Sequence, residues 1–182
     1  MSSQTIRQQF RQRRRQVTGD TRNAAEAAIC KLIAQTCRNA DLIAAYNAFD
    51  GEPDLSSWMV QTTSSLCLPH ILEEPGAMSF FAWQPNDTTQ ANHYGIEEPL
   101  SAAQPIAPDA LDIVLVPLVA FDTHGTRLGM GAGYYDRYLL QAGNAQHIGV
   151  AFDCQCSTTT LTRQKWDHPL HKVVTESGIM TF

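Results

Sequence analysis

Apolar residues follow two different rhythms along the chain, and each rhythm predicts its own kind of element. Between residues 21 and 38, apolar positions recur every three or four residues, which predicts an amphipathic helix packed against a larger body. Residues 112–121 form an almost unbroken apolar run rich in valine, which predicts a strand covered on both faces. Further helices are predicted at 4–16, 55–63 and 134–142, and further strands at 42–49, 66–71, 79–83, 147–153 and 172–175. Because strands and helices alternate, we expect an α/β fold with a mostly parallel sheet.

The length of 182 residues predicts a single domain over residues 1–182. Residues 84–110 are rich in Pro, Asn, Asp, Thr and Gln and are predicted to be the least regular segment, but nothing in them marks a linker. The five cysteines are scattered and odd in number, which is typical of reduced thiols in a cytoplasmic protein. The tryptophans are expected in the core or at a pocket rim: Trp58, Trp83 and Trp166.

Charge and hydropathy exclude several classes of partner. The net charge of −5 gives no indication of nucleic acid. No run approaches the roughly 18 apolar residues that are needed to span a bilayer. Residues 1–19 are too polar for a secretory signal. We therefore expect a cytoplasmic monomer whose partners are small molecules, without membrane contact.

The predicted first helix is basic. Five arginines precede the first acidic residue of the chain, Asp20: Arg7, Arg11, Arg13, Arg14 and Arg15. Three interpretations fit this pattern, namely a solvated helix face, an organellar targeting segment, and a helix that binds an anion. The pattern alone leaves all three open.

The most distinctive local pattern is RLGMGAGYYDRYL at residues 127–139, which follows the apolar run at 112–121. Its glycines permit positive φ angles and a close backbone approach to a ligand: Gly129, Gly131 and Gly133. In a parallel sheet, ligands bind at the carboxyl ends of the strands, and successive N–H groups at the start of a helix bind anions. The spacing is neither that of a Walker A loop nor that of the Rossmann fingerprint. An ordinary strand-to-helix turn is therefore the alternative.

Charged and aromatic side chains accompany these glycines. Arg127 can add a charged fork for a phosphate. Asp136, in the first turn of the following helix, would repel a phosphate unless a divalent cation lay between them, so the segment indicates a Mg²⁺-nucleotide. Tyr134 and Tyr135 offer a flat wall for a base or a pterin ring.

The apolar run, the glycine loop and the charged residues beside the loop indicate a protein family more specifically in combination than any one of them does alone. The stretch LVPLVAFDTHGTRLGMGAGYYDRYL resembles the signature of the 5-formyltetrahydrofolate cyclo-ligase family, also called 5,10-methenyltetrahydrofolate synthetases. Four other segments resemble blocks of that family in the same order: IRQQFRQRRRQVT, AFDGEPD, YGIEEP and WDHPLHKVVTE. The resemblance covers nearly the whole chain, from about Ile6 to Glu176.

The resemblance implies both a fold and a reaction. The fold would be a three-layer α/β/α sandwich related to the sugar-phosphate isomerase and coenzyme A transferase group. The reaction would convert 5-formyltetrahydrofolate into 5,10-methenyltetrahydrofolate, with ATP as co-substrate, Mg²⁺ as cofactor, and ADP and phosphate as products. In the implied route, the formyl oxygen attacks the γ-phosphate of ATP, and N10 of the folate then closes the ring.

By this resemblance, ATP is bound by the first helix and by the glycine loop, through Ser3, Arg7, Arg127, Leu128, Gly129, Met130, Gly131, Ala132, Gly133, Tyr134 and Tyr135. Arg7 would reach the phosphates, which favours the anion-binding interpretation for that residue. Ser3 stands where the family usually has a basic residue, so either its hydroxyl bonds a phosphate or another arginine compensates. The remaining arginines of this helix are expected to be solvated: Arg11, Arg13 and Arg14.

The resemblance also implies a folate site, a metal site and catalytic groups. Folate contacts are expected from Asn47, Glu52, Met130, Gly131, Ala132, Gly133 and Tyr134. A carboxylate such as Glu52 can accept two hydrogen bonds from a pterin. The implied Mg²⁺ ligands are Asp136 and Asp167, and the implied catalytic groups are Arg127, Tyr135 and Asp136. His171 stands where the family often has a second aspartate, and we expect it at the surface.

Two alternatives come from other functional classes. An isomerase or coenzyme A transferase-like enzyme on the same fold would use a general base or a glutamate nucleophile and no ATP, and the loop from Arg127 to Asp136 argues against it. A non-catalytic folate- or nucleotide-binding relative should have lost Asp136, Glu52 or the loop glycines, and all of these are present. The residues therefore favour the cyclo-ligase reaction.

Overall fold

The computed structural model describes residues 2–100, 104–164 and 167–182, so the prediction for Trp166 lies outside the described residues. The helices are α1 (Ser3–Arg15), α2 (Gly19–Thr36), α3 (Ser56–Met59) and α4 (Tyr134–Gln141). The strands are β1 (Leu42–Ala44), β2 (Ser65–Ile71), β3 (Met78–Trp83), β4 (Thr89–Ala91), β5 (Glu97–Pro99), β6 (Ile113–Pro117), β7 (Ala120–Phe121), β8 (Arg127–Leu128), β9 (Gln146–Val150), β10 (Lys172–Thr175) and β11 (Gly178–Thr181).

Seven of these strands form a central sheet in the order β11-β10-β9-β6-β1-β2-β3. The five inner strands are parallel to one another, and the two edge strands, β3 and β11, run antiparallel to their neighbours. The carboxyl ends of the five parallel strands therefore meet at one edge of the sheet, where ligands bind in folds of this class. Two small hairpins, β4–β5 and β7–β8, lie outside this sheet.

Helices cover both faces of the sheet. Alternate residues of β6 enter opposite cores, because Ile113 and Leu115 pack with α2 and α3 whereas Val114 and Val116 pack with α4. This arrangement confirms the predicted three-layer α/β fold with a mostly parallel sheet. It also explains the unbroken apolar runs, since both faces of each inner strand are covered. None of the helices in the described part of the chain combines the length and the apolar character needed to cross a bilayer.

The pattern predicted one continuous strand over residues 112–121, but the structure divides this apolar run into two strands. Strand β6 ends at Pro117, and the chain then turns into the β7–β8 hairpin. The carbonyl of Leu118 accepts hydrogen bonds from the side chains of Arg14 (2.9 Å) and Gln155 (2.7 Å). An apolar pattern reports burial but does not report which group bonds each carbonyl, so it does not reveal this break.

Three other segments also differ from their predictions. Strand β1 ends at Ala44, well before residue 49, and the chain then leaves the sheet and turns at Asp50 and Gly51, whose φ angles are 52° and 81°. The segment 84–110, predicted to be irregular, contains the β4–β5 hairpin. The edge strand β11 was not predicted. The single-domain organisation and the relation to the isomerase and transferase group stay predictions.

Candidate active site

A cavity of about 910 Å³ opens at the carboxyl edge of the sheet. Its walls come from α1, from the 45–52 segment that follows β1, from the β4–β5 hairpin, and from the glycine loop with the start of α4. Every predicted site residue lines this cavity: Ser3, Arg7, Asn47, Glu52, Arg127, Leu128, Gly129, Met130, Gly131, Ala132, Gly133, Tyr134, Tyr135, Asp136 and Asp167. The fold therefore brings distant parts of the chain together, while the role of each residue stays a prediction.

The glycine loop presents its backbone to the cavity. Gly131 and Gly133 have φ angles of 108° and 74°, which L-residues with a Cβ rarely adopt, whereas Gly129 does not have a positive φ. Among the described residues, no hydrogen bond uses the N–H groups of residues 129–133. Gly133 directly precedes α4, so the positive end of the helix dipole adds to these free donors. The loop is thus suited to bind an anion.

Helix α1 brings two predicted phosphate-binding residues to this loop. Nε of Arg7 donates to the carbonyl of Gly129 (2.8 Å), and no hydrogen bond within the described residues uses its two terminal nitrogens. A Cβ built on Gly131 would lie 3.5 Å from Cζ of Arg7, so the guanidinium packs directly against the loop. Ser3, about one helical turn earlier, is exposed on the same cavity. Both side chains are therefore available to an anion held by the loop.

Arg127 and Asp136 form an ion pair beside the loop. Nη2 of Arg127 donates to Oδ1 of Asp136, and Nη1 donates to the carbonyl of His168 (2.6 Å). Burial lowers the pKa of Arg127, and the charges of Asp136 and Asp167 act in the opposite direction. The arginine side chain is 3% exposed and the aspartate side chain 28% exposed, so the carboxylate has the greater access to the cavity. Arg127 thus supports Asp136, and the phosphate fork predicted for it stays a prediction.

Asp167 supplies a second carboxylate to the cavity. Its Oδ2 accepts a hydrogen bond from the N–H of Gln164 (2.7 Å), which leaves Oδ1 outside that bond. Within the described ranges, no group of three or more His, Cys, Asp or Glu side chains is arranged to hold a metal ion by itself. One or two carboxylates beside an anion-binding loop do fit Mg²⁺, which commonly completes its shell with nucleotide phosphates and water. His171 is exposed, as predicted.

Glu52 lies buried in the wall formed by the 45–52 segment. Its Oε2 accepts a hydrogen bond from the N–H of Phe49 (3.0 Å), and its Oε1 lies 3.7 Å from Nη1 of Arg14. Burial raises the pKa of Glu52 from 4.5 to about 7, although Arg14 and the bond from Phe49 act to lower it. A carboxyl group that titrates near neutral pH can bind N–H donors of a ligand when it is ionised.

The β4–β5 hairpin forms a wall whose role the sequence analysis missed. Nδ2 of Asn47 donates to the carbonyl of Glu97 (2.7 Å), which gives the amide the partner that an asparagine in an apolar segment needs. Glu98 is buried and accepts hydrogen bonds from the N–H of Ile71 (3.1 Å) and from Nδ2 of Asn92 (2.6 Å). The YGIEEP segment drew attention to this part of the chain, but it did not indicate that the hairpin would stand over the cavity.

The prediction that Arg11, Arg13 and Arg14 are solvated is correct only for Arg13. Arg14 is fully buried, and Nε of Arg11 donates to Oδ2 of Asp50 (2.6 Å). The carboxylate of Asp50 also accepts hydrogen bonds from Arg14 and Arg15. The sequence analysis did not single out Asp50, because its three partners lie in another element and the pairing depends on the packing of α1 against the turn.

Fold and cavity together define an α/β protein with a candidate ligand site at the carboxyl edge of a parallel sheet, where a glycine loop suited to an anion and two carboxylates meet. The sequence profile of the 5-formyltetrahydrofolate cyclo-ligase family matches residues 1–176. The chain belongs to that family. This confirms the family, the enzyme class and the place in folate metabolism that the sequence predicted.

Individual relatives agree with this assignment. The chain is 36% identical over 183 residues to 5-formyltetrahydrofolate cyclo-ligase of Haemophilus influenzae, covering 94% of this chain and 96% of the relative. It is 34% identical over 180 residues to the Escherichia coli K12 protein of the same name, and the match covers 93% of this chain and 98% of the relative. The NMR structure of Aquifex aeolicus 5,10-methenyltetrahydrofolate synthetase aligns with a TM-score of 0.87 and 28% identity, covering 100% of this chain and 93% of that one.

Proposed function

We propose that this protein closes the ring of 5-formyltetrahydrofolate to give 5,10-methenyltetrahydrofolate, with ATP as co-substrate and Mg²⁺ as cofactor. The observation that carries the proposal is that an anion-binding loop, two carboxylates and the buried Glu52 meet on one cavity of about 910 Å³. This volume is at the upper end of the usual range for ligand pockets, which suits two substrates bound side by side.

The triphosphate of ATP would bind to the glycine loop. The free N–H groups of residues 129–133 and the start of α4 provide donors, and the terminal nitrogens of Arg7 provide charge. Ser3 lines the same cavity, and its hydroxyl would join these donors in place of the basic residue usual in the family. The loop amides and these two side chains together support ATP binding without a Walker-type lysine.

Asp136 and Asp167 would hold the Mg²⁺ ion. Each keeps one carboxylate oxygen outside the hydrogen bonds of the described residues, since Arg127 bonds Oδ1 of Asp136 and the N–H of Gln164 bonds Oδ2 of Asp167. When bound, Mg²⁺ neutralises charge on the phosphates and helps to orient them.

The folate would occupy the part of the cavity between Glu52, Asn47 and the loop. The ionised carboxylate of Glu52 would accept hydrogen bonds from the amino and ring N–H groups of the pterin. Tyr134 and the exposed side chain of Met130 would pack against the ring. Asn47 would form the rim of this site, since its amide nitrogen is already bonded to the β4–β5 hairpin.

The chemistry requires activation of a poor leaving group. The formyl oxygen attacks the γ-phosphorus of ATP, and the bond from that phosphorus to the bridging oxygen breaks as ADP leaves. N10 then adds to the formyl carbon and loses its proton, and the carbon–oxygen bond breaks as phosphate departs. Such a transfer depends mainly on positioning and charge neutralisation, so it needs no nucleophilic side chain.

Tyr135 can contribute directly to this step. Its hydroxyl is buried and has no hydrogen-bond partner among the described residues, and the side chain lines the cavity. Burial raises the pKa of Tyr135 above its ordinary value, and the charge of Glu52 adds to that effect. The hydroxyl therefore stays protonated and would donate to the formyl or phosphate oxygen once the side chain turns toward the bound substrates, while Arg127 keeps Asp136 in place.

The two alternative functions, a different enzyme on the same fold and a non-catalytic binding protein, explain fewer features of the cavity. An isomerase or coenzyme A transferase-like reaction does not use the free amides of the loop together with two carboxylates. A non-catalytic binding protein does not need the Arg127–Asp136 pair. The cytoplasmic location and the monomeric state stay predictions.

The proposal predicts the behaviour of a simple assay. Protein mixed with 5-formyltetrahydrofolate, ATP and Mg²⁺ should show a rise in the near-ultraviolet absorbance of the methenyl product. Excess EDTA should stop the rise, and added Mg²⁺ should restore it, because without the cation the two carboxylates repel the triphosphate and its charge is not neutralised. Product formed without ATP, or at full rate in EDTA, would contradict the proposal.

Gly133→Ala should weaken ATP binding. An alanine would have to adopt a φ of 74°, which strains a residue with a Cβ, and its Cβ would lie 3.0 Å from Nη1 of Arg137, so that side chain must also move. We expect the KM for ATP to rise about tenfold, with a loss of about 1–2 kcal/mol in unfolding free energy. Gly19→Ala is the matched control, since Gly19 also has a positive φ (58°) but lies at the start of α2 with open space around it. Equal effects of both variants on the KM for ATP would argue against a nucleotide site at the loop.

A further inference from the structure

One face of α1 connects the two halves of the cavity. Arg7, Arg11 and Arg14 are spaced by four and three residues, so their side chains leave the helix on the same side. Arg7 contacts the glycine loop through the carbonyl of Gly129. Arg11 and Arg14 instead bond Asp50, two residues before Glu52. The same helix therefore holds the loop at one end and the turn that carries Glu52 at the other.

Arg14 is the most deeply buried of these arginines. Its side chain is 0% exposed. Nε and Nη2 donate to the carbonyl of Asp50 (3.1 and 2.9 Å), Nη2 also donates to the Asp50 carboxylate (3.1 Å), and Nη1 donates to the carbonyl of Leu118 (2.9 Å). A buried guanidinium destabilises a protein unless its donors are bonded. Here the bonds join three separate parts of the chain.

The turn that Arg14 holds is one that needs support. Asp50 is not a glycine, yet its φ is 52°, and Gly51 follows with a φ of 81°. Such a conformation is less favourable than a negative φ even for aspartate, which adopts it more readily than most residues, so bonds from the surroundings help to hold it. Glu52 comes directly after it, and its backbone carbonyl accepts a further hydrogen bond from Arg22 (2.7 Å).

We propose that Arg14 is a positioning residue for the folate site: it holds the Asp50–Glu52 turn so that the Glu52 carboxylate faces the cavity. The inference rests on the proposed function, in which Glu52 binds the folate. Arg14 itself does not line the cavity, and it acts through Glu52.

The charges around Glu52 make the inference measurable. Among the residues that the structure describes, four ionisable groups interact with it: Arg14 from α1, Asp50 from the turn, Tyr46 from the 45–52 segment and Tyr135 from α4. Burial raises the pKa of Glu52 to about 7, Arg14 lowers it, and Asp50 raises it. Removal of the Arg14 charge should therefore raise the pKa of Glu52 further, so that less of the ionised form is present at neutral pH.

Arg14→Met and Arg14→Lys test the inference, with Arg13→Met as the control. Arg13 lies on the same helix with the same charge but is exposed. In Arg14→Met we expect the KM for 5-formyltetrahydrofolate to rise about tenfold or more near neutral pH, and to recover partly at higher pH. The KM for ATP of Arg14→Met should stay within about twofold of wild type, and so should both KM values of Arg13→Met. Arg14→Lys keeps the charge but loses the forked donors, so its folate KM should rise with little shift of the pH profile.

The double variant Arg14→Met/Glu52→Gln separates this inference from the proposed function. If Arg14 acts through Glu52, the double variant should bind folate no more weakly than Glu52→Gln alone. Additive losses, or an Arg14→Met protein with the folate KM and pH profile of wild type, would overturn the role of Arg14 and leave the proposed function intact. A Glu52→Gln protein with unchanged folate affinity would overturn both the role of Arg14 and the folate-binding role proposed for Glu52. Equal rises in the KM values for ATP and folate in Arg14→Lys would also overturn the inference, since they would indicate general disruption.

Discussion

Asp136→Asn should abolish turnover. A carboxamide is a poor ligand for a hard cation, and the change leaves the Arg127 guanidinium, only 3% exposed, without its carboxylate partner. We expect kcat to fall by about a thousandfold or more, whereas the affinity for 5-formyltetrahydrofolate should change little. The rate is measured from the absorbance of the methenyl product, and thermal unfolding of the variant shows whether the fold is retained.

The matched control for this prediction is Asp20→Asn. Asp20 also lies in the first turn of a helix, α2, but it is exposed and does not line the cavity. Its loss removes the same charge and the same helix-dipole interaction, so this variant should keep its activity. Turnover by a folded Asp136→Asn protein at a near-normal rate would refute the metal-binding role of Asp136.

Glu52→Gln should weaken folate binding while it leaves ATP binding unchanged. The ionised carboxylate is expected to accept two hydrogen bonds from the pterin, and an amide can accept with only one atom and carries no charge. We expect the KM for 5-formyltetrahydrofolate to rise by about tenfold to a hundredfold. A variant in which the KM for ATP rises and that for folate does not would show that the two halves of the cavity are assigned the wrong way round.

The same substitution should stabilise the folded protein above neutral pH. Because burial raises the pKa of Glu52 from 4.5 to about 7, the folded state retains a proton that the unfolded state has already lost. The stabilisation from this group is full below about pH 4.5 and is lost as the pH rises through about 7, with a total of about 3 kcal/mol. Glutamine does not ionise, so the Glu52→Gln protein does not lose this stabilisation as the pH rises.

Urea denaturation at several pH values measures this difference. The free energy of unfolding of Glu52→Gln should exceed that of the wild type by a margin that grows between about pH 5 and pH 8. A margin that is constant with pH would show that Glu52 is not held in a raised-pKa environment. Together with weaker folate binding, a growing margin would show that the residue is kept for its ligand at a cost in stability.

Much of the fold was predictable because the relevant signals are local. The apolar run of β6 and the strand at residues 172–175 lie where the pattern predicted them. The break after Pro117 and the position of the β4–β5 hairpin were not predictable in this way. They depend on which groups meet the chain from elsewhere, as the bonds from Arg14 and Gln155 to Leu118 show.

The sequence by itself determined the α/β class and the position of the glycine loop, because apolar spacing and glycine placement act over a few neighbouring residues, and the resemblance of its motifs indicated the family. Only the tertiary structure decided that Arg14 is buried under the Glu52 turn and that Arg127 is occupied by Asp136. A charged side chain takes its role from the partners that packing brings to it. For Arg14 those partners are Asp50 and Leu118, which lie in other elements and which no local pattern connects to it.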